Sequence, residues 1–351
     1  GSSIFSVRDA CVLEGVRHAK MAGGEKGALE FFIFGHPVTM SPSPEIHNTG
    51  FATNGSPHKY ARFDSPGADG VLERLRQDDC GGGSVTIPHK ETLLKAMDEL
   101  SDAAKTIGAV NTITKAADGK LRGDNTDWLG IRNQLMERLE GRAGAEAPIC
   151  LLCGAGGTAR AAAYALQQMG AGRCLIYNRT ASRAEALAKE FGFEACSDLE
   201  GLAALEQLHI IVDTLPGASD FVLPDAAVLK RCRPVVLEAA YIPRRTAFLR
   251  QALDAGCEVV EGVEMLYEQG CAQCEIWTGK PAPRAAIARA LLSSLFTSGS
   301  THPAYAKMEP YDVLPVSLEK AAKGASKRGP EDGSEADSEA AGRASARAKA
   351  A

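Results

Sequence analysis

The sequence contains no run of about 18 apolar residues, so no segment suits a membrane-crossing helix. It also lacks a basic excess. With 39 Lys and Arg against 44 Asp and Glu, the net charge is −5. Few counterions could be displaced from a polyanion, which argues against a general nucleic-acid surface. No secretory leader is visible, and the chain starts Gly1-Ser2-Ser3 without Met, as a fragment of a longer chain would. A cytoplasmic protein is therefore expected. Metal-ligand sets are missing as well. Cys150 and Cys153 have C-x-x-C spacing, but on a strand, where positions three apart face opposite ways. Cys271 and Cys274 would share one helix face, yet no histidine completes a zinc set. Ten cysteines in 351 residues make no dense disulfide scaffold, so buried free thiols are the expectation.

What is present is a globular composition, 45% hydrophobic, in a chain longer than one typical core, so two domains are expected. The organising stretch is the apolar run Ile149 to Cys153, followed by Gly154-Ala155-Gly156-Gly157-Thr158-Ala159 and an alanine-rich helical run. This is the strand, G-x-G-x-x-A turn and helix of a dinucleotide-binding unit. Gly154 allows the sharp turn, Gly156 leaves room for a pyrophosphate, and Ala159 lets the helix sit close to the sheet. The phosphates would meet free N–H groups at the helix start near Gly157.

A second apolar run, Cys174 to Tyr177, ends at Asn178-Arg179-Thr180, where an NAD-binding unit normally presents an acid to the ribose. No acid stands there. Arg179 instead offers a planar cation suited to a 2′-phosphate, which favours NADP(H) over NAD(H). The segment could also simply cap the next helix, with Thr180 or Ser182 as N-cap and Gly192 as its stop, and both uses are compatible. Further strand runs at Leu208–Val212, Val235–Leu237 and Cys257–Val260, with a helix from Thr246 to Ala255, complete the alternation of a doubly wound parallel sheet.

Upstream, a soft amphipathic pattern suggests a helix from about Ser6 to Met21, and Phe31 to Phe34 is the first firm strand. In Met40-Ser41-Pro42-Ser43-Pro44, two serines two positions apart could present hydroxyls and N–H groups to one anion, or Ser43 could be a plain N-cap. Gly81 to Gly83 reads as a glycine-rich approach to a short strand that ends near Thr86, with Lys90 opening a helix at the strand's carboxyl edge. A lysine in that place is a solvated charge unless another segment supplies an anion. Gly108 to Ile113 resembles a strand with a polar tip at Asn111. Gly123-Asp124-Asn125-Thr126-Asp127 then carries polar groups densely enough to favour a site over a turn, although capping is the alternative. Glu264 to Trp277 looks helical with Gln269 and Gln273 on one face, and Arg284 to Phe296 forms a helix that returns to the first domain. After Ser298 the order signal fades, because residues 317–351 have hardly an aliphatic anchor beyond Leu318.

Together these segments resemble the shikimate dehydrogenase family from about Phe31 to Pro283, in a spelling similar to fungal members. The signs are Ser41 to Pro44, Val85-Thr86-Ile87-Pro88-His89-Lys90, Gly108 to Thr112, Gly123 to Asp127, the Gly154 loop with Asn178-Arg179-Thr180, and Met265-Leu266 to Gln269. The resemblance implies an α/β fold with an N-terminal substrate domain, a doubly wound Rossmann NADP-binding domain and a C-terminal helix returning to the first. The expected bounds are an extension at 1–29, the substrate domain at 30–135, the cofactor domain at 136–262, returning helices at 263–297 and a disordered tail at 298–351. It implies that Ser41, Ser43 and Tyr241 hold a substrate carboxylate, and that Thr86, Asn111, Asp127 and Gln269 hold ring hydroxyls. Lys90 and Asp127 match the catalytic pair. Gly154, Ala155, Gly156, Gly157, Thr158, Ala159, Asn178, Arg179, Thr180 and Gly262 fall at cofactor positions.

Three spellings depart from the family: Met40, Asp213 in place of a common asparagine, and Glu238-Ala239-Ala240-Tyr241. An acid at 213 could repel the cofactor or accept a new hydrogen bond. The implied activity is reversible, NADPH-dependent reduction of 3-dehydroshikimate. The alternatives are a quinate dehydrogenase using NAD or NADP, and a catalytically silent metabolite-sensing domain. The implied partners are a small-molecule substrate, without nucleic acid or membrane, in a monomer or homodimer that could be part of a multifunctional chain.

Overall fold

A computed structural model describes residues 27–142, 147–296 and 314–324. The helix expected from Ser6 to Met21 and most of the tail lie outside those residues. In chain order the first half contains β1 (Glu30–Gly35), α1 (Ser43–Thr53), β2 (Lys59–Asp64), α2 (Ala68–Arg76), β3 (Cys80–Val85), α3 (Lys90–Leu94), β4 (Glu99–Leu100), α4 (Asp102–Ile107), β5 (Thr112–Lys115) and β6 (Leu121–Asp124). Helix α5 (Asp127–Leu139) leads to the second half, with β7 (Ile149–Cys153), α6 (Gly157–Gln168), β8 (Arg173–Tyr177), α7 (Ala181–Phe191), β9 (Glu194–Cys196), β10 (Ile210–Asp213), α8 (Ala227–Cys232), β11 (Val235–Glu238), α9 (Ala247–Asp254) and β12 (Glu258–Val260). Among the described residues three helices follow: α10 (Gly262–Thr278), α11 (Arg284–Leu295) and α12 (Val316–Gly324).

The strands form two six-stranded sheets. The first has the order β2-β1-β3-β5-β6-β4, with β5 antiparallel to both β3 and β6. The second has the order β12-β11-β10-β7-β8-β9 and is parallel throughout. Its central strands are buried on both faces, which is why they read as unbroken apolar runs rather than alternations. Cys150 and Cys153 accordingly pack into clusters on opposite faces of that sheet. The nine cysteines among the described residues are all free, seven of them buried.

The glycine-rich approach expected at 81–83 is itself the middle of β3. Phenylalanine rings from β1 fill the space side chains would take: a Cβ on Gly81 would stand 2.5 Å from the Phe31 ring, and one on Gly83 would stand 2.8 Å from the Phe34 ring. Strand β5 begins at Thr112, later than the run from Gly108 suggests, because Gly108 ends α4 in the left-handed region at φ 71°.

The C-terminal helices return to the first sheet's helix layer. Ile46 of α1 shares a cluster with Val263, Tyr267, Ile287, Leu291 and Leu295, and Trp277 packs with Phe31, Phe51 and Tyr60. Part of the tail expected to be disordered is ordered, since α12 seats a fully buried Leu318 in the first of these clusters. Its start is fixed by Ser317, whose amide and hydroxyl both donate to Glu264 Oε1, at 2.9 and 2.8 Å. Glu264 is in turn buried and ion-paired to Arg138 at 2.6 Å. One apolar anchor and a polar clasp on a preformed groove are enough, which average composition does not register. Leu318→Ala is expected to lower unfolding free energy by about 2–3 kcal/mol, measured by denaturant titration; a loss under about 0.5 kcal/mol would show that α12 contributes no packing.

Candidate active site

The carboxyl ends of both sheets open onto one cleft, where α5 and α10 pack against each other. Lys90 is the first residue of α3, just beyond β3 and the cis Ile87-Pro88 bond. Its Nζ donates to Asp127 Oδ2 at 2.5 Å and to Thr158 Oγ1 at 3.2 Å. Asp127 is the first residue of α5, and its amide donates to Asn125 Oδ1 at 3.0 Å, an Asx turn that fixes the helix start. The polar density at 123–127 thus caps a helix and builds a site at once.

Asn111 Nδ2 donates to Asp127 Oδ1 at 2.8 Å and lies 3.0 Å from Thr126 Oγ1 and 3.1 Å from Gln269 Oε1. The Asn111 oxygen accepts from the Thr126 amide at 2.7 Å and from the Thr112 hydroxyl at 2.6 Å. Lys90, Asp127, Asn111 and Gln269, from α3, α5, the loop before β5 and α10, are therefore brought together. The Lys90 and Asp127 side chains are 13% and 6% exposed, so the pair is largely desolvated and held by hydrogen bonds to the remaining lone pairs. Of the three ammonium donors, two are engaged among the described residues, which leaves one for a ligand.

Ser41 Oγ donates to Ser43 Oγ at 3.0 Å, and the Tyr241 hydroxyl is hydrogen-bonded to Ser41. Ser43 sits in the first turn of α1 behind Pro42, the N-cap residue, so it is not itself the plain N-cap. The two serines and Tyr241 form a second polar cluster that joins the first through Tyr60, which is hydrogen-bonded to Ser43, and through Ser84 and Gln273. Tyr60 donates to Ser84 at 2.7 Å, Ser84 to Gln273 at 2.8 Å, and Gln273 to Thr112 at 2.9 Å, next to Asn111. Burial pushes the Tyr60 phenol well above its usual range, so it remains a donor. Gln273 was visible one turn beyond Gln269, whereas Tyr60 on β2 and Ser84 on β3 carry no local signal. Thr86 stands on the rim with Lys90, half-buried, its amide donating to the Phe34 carbonyl at 2.9 Å.

On the other wall, Gly154 has φ 115° and donates its amide to Tyr177 O at 2.8 Å, which sets the β7 turn beside the β8 turn. A Cβ at Gly154 would come within 2.2 Å of Thr214 Oγ1. Gly156 is the N-cap of α6, with nothing within 4 Å of where its Cβ would stand, and no side chain caps the first N–H groups of α6. Ala155 packs on the sheet cluster to which Ala159 belongs, and Gly157 is backed by the Lys90 side chain, with a Cβ there 3.0 Å from Lys90 Cβ. Asn178 donates to Thr180 O at 3.0 Å, while Arg179 is exposed at the mouth of the same turn. A free helix start, an open glycine and an exposed guanidinium fit an NADP(H) pyrophosphate and 2′-phosphate. Thr180 is the N-cap of α7 without a side-chain bond, and Gly192 ends that helix at φ 70°. Gly262 has a packing reason of its own, since a Cβ there would lie 2.4 Å from Ala240 O. Asp213 is buried and accepts from the Leu215 amide at 2.9 Å, so the acid forms a new hydrogen bond.

Comparison with known proteins identifies the family. Residues 33–113 match the shikimate dehydrogenase substrate binding domain, 140–234 the shikimate / quinate 5-dehydrogenase family, and 262–292 the shikimate 5′-dehydrogenase C-terminal domain. The shikimate 5-dehydrogenase of Thermus thermophilus, solved with NADP(H) and shikimate, is 33% identical with a TM-score of 0.63, covering 75% of this chain and 98% of that one. The chain belongs to the shikimate dehydrogenase family. The pentafunctional AROM polypeptide of Yarrowia lipolytica is 39% identical over 278 residues, which is 76% of this chain and 18% of that polypeptide. The chain thus spans under a fifth of the length of such curated relatives. A quinate dehydrogenase from Corynebacterium glutamicum, solved with NAD, is 26% identical with a TM-score of 0.65, covering 76% of this chain and all of that one.

The two glycines of the turn separate folding from binding. Gly154→Ala is expected to cost about 2 kcal/mol or more of stability through its left-handed backbone and the Thr214 contact. Gly156→Ala should leave thermal unfolding unchanged and weaken dinucleotide binding about tenfold or more, read by NADPH fluorescence titration; unchanged affinity would place the pyrophosphate elsewhere.

Proposed function

We propose that this chain is an NADP-dependent shikimate dehydrogenase that interconverts 3-dehydroshikimate and shikimate, corresponding to that region of an AROM-like polypeptide. The observation that carries the reading is Lys90, whose ammonium bonds Asp127 on the substrate side and Thr158 on the dinucleotide side. In this reading residues 30–135 hold the substrate and 136–262 the cofactor, with the helices from 263 closing on the first.

When bound, NADPH supplies the hydride. Lys90 would stabilise the negative charge of the carbonyl oxygen and give it a proton. Asp127 orients the ammonium and accepts a ring hydroxyl, with Asn111 fixing its second oxygen. Ser41, Ser43 and Tyr241 receive the carboxylate through hydroxyl donors, and Thr86 and Gln269 receive the remaining hydroxyls. Arg179 takes the 2′-phosphate, and the absence of an acid in that turn removes the contact that favours NAD.

The test is the absorbance of the reduced nicotinamide with shikimate or quinate crossed against NADP or NAD. Turnover is expected with shikimate and NADP, falling about a hundredfold or more in Lys90→Ala. In Arg179→Ala, KM for NADP should rise about tenfold while NAD is little affected. Preference for quinate or NAD would replace this reading with a quinate dehydrogenase, and ligand binding without turnover would replace it with a metabolite sensor.

A further inference from the structure

Asp213 and Glu238 are the last residues of β10 and β11, neighbouring parallel strands, and they stand in register with each other. Both side chains are buried, at 2% and 0% exposure. Each carboxyl holds the loop that follows it: Asp213 Oδ1 accepts from the Leu215 amide at 2.9 Å, and Glu238 Oε1 accepts from the Ala240 amide at 3.1 Å. Glu238 Oε2 also accepts from the Thr246 hydroxyl at 2.8 Å. Two carboxyls buried in register on neighbouring strands repel each other when both are ionised, which favours a proton on one of them.

The loops they hold reach both halves of the cleft. The first carries Thr214, whose hydroxyl donates to Cys153 O at 2.8 Å and backs the Gly154 turn. The second carries Tyr241, bonded to Ser41. The loops also touch, since a Cβ on Gly217 would meet Ile242 O at 2.2 Å.

We propose that Asp213 and Glu238 share one proton and, in that singly charged state, are positioning residues that hold the Thr214 loop against the dinucleotide turn and the Tyr241 loop against Ser41. The inference deepens the proposed function and rests on it for the identity of the bound groups. Burial pushes both carboxyls above their usual range, and repulsion from Asp213 pushes Glu238 further. The surroundings offer little to change this. β7 contributes Cys153, whose thiol is pushed well above its usual range and stays neutral. Helices α5 and α9 pack apolar residues, Ile131 and Leu135 on one face of the sheet and Phe248 and Leu249 on the other. On the α10 side, Glu261 is ion-paired with Arg244. Because the folded state binds the proton more tightly than the unfolded chain, the pair's contribution to stability is full at low pH and is lost as pH rises through the pair's folded range.

Asp213→Asn makes the decisive variant, because an amide can donate to ionised Glu238 and accept from Leu215 with no shared proton. In the wild-type chain, the thermal midpoint should fall and NADPH affinity should weaken about tenfold between about pH 7 and about pH 10. In Asp213→Asn both declines should flatten, affinity staying within about twofold. Parallel profiles in the two proteins would overturn the proposal. Infrared spectroscopy of the wild-type chain supplies a second reading that needs no variant: a protonated-carboxyl C=O stretch at neutral pH, lost at high pH, is expected, and its absence would also overturn the proposal. If NADPH failed to bind at any pH, the proposed function would fall, while the thermal and infrared readings would still decide the shared proton.

Discussion

The structure depends on one buried ion pair. Lys90 and Asp127 sit where the substrate sheet, the dinucleotide sheet and the starts of their helices converge, and neither charge is tolerable there alone. Removing one partner of such a pair leaves the other desolvated, at a cost of about 3–5 kcal/mol. The neighbours are arranged around that constraint: Asn111 saturates the second oxygen of Asp127, the Asx turn at Asn125 aims α5, and Thr158 brings the dinucleotide helix to the ammonium. Under the proposed function, the same constraint is what makes the site reactive. An ammonium held by a carboxylate in a dry cleft, with a donor to spare, is suited to meet charge that develops on a substrate oxygen.

Two further sets of polar contacts join separate segments. One runs through Gln273, Ser84 and Tyr60 to the Ser41 and Ser43 segment, tying the far end of the substrate wall to its centre. The other lies beneath the second sheet's edge, where Asp213 and Glu238 hold adjacent loops. Both are formed by residues distant in sequence, which makes the cleft a property of the assembled fold and of no single segment.

The legible parts of the sequence were those whose signal is local. The Gly154 turn, the missing acid near Arg179 and the apolar runs of the parallel sheet could be read because a dinucleotide unit compresses its requirements into one βα turn. Ser41, Ser43, Lys90, Asn111, Asp127 and Gln269 were found as separate polar islands, and their convergence was only implied by resemblance. The glycine run at 81–83 misled because its space is filled by rings from another strand. Helix α12 escaped because a single leucine and a buried glutamate hold it. For Asp213 the sequence left open repulsion of the cofactor or a new hydrogen bond, since its neighbour Glu238 lies across the sheet and not along the chain.

A double-mutant cycle on Lys90 and Asp127 tests the central claim most directly. With Lys90→Ala, Asp127→Ala and the double variant compared by kcat/KM for shikimate with NADP, the account predicts that the double variant is no worse than the poorer single variant by more than about threefold. Losses that simply multiply would contradict it, because the two residues would then act independently and the ion pair would not be the unit on which the site depends.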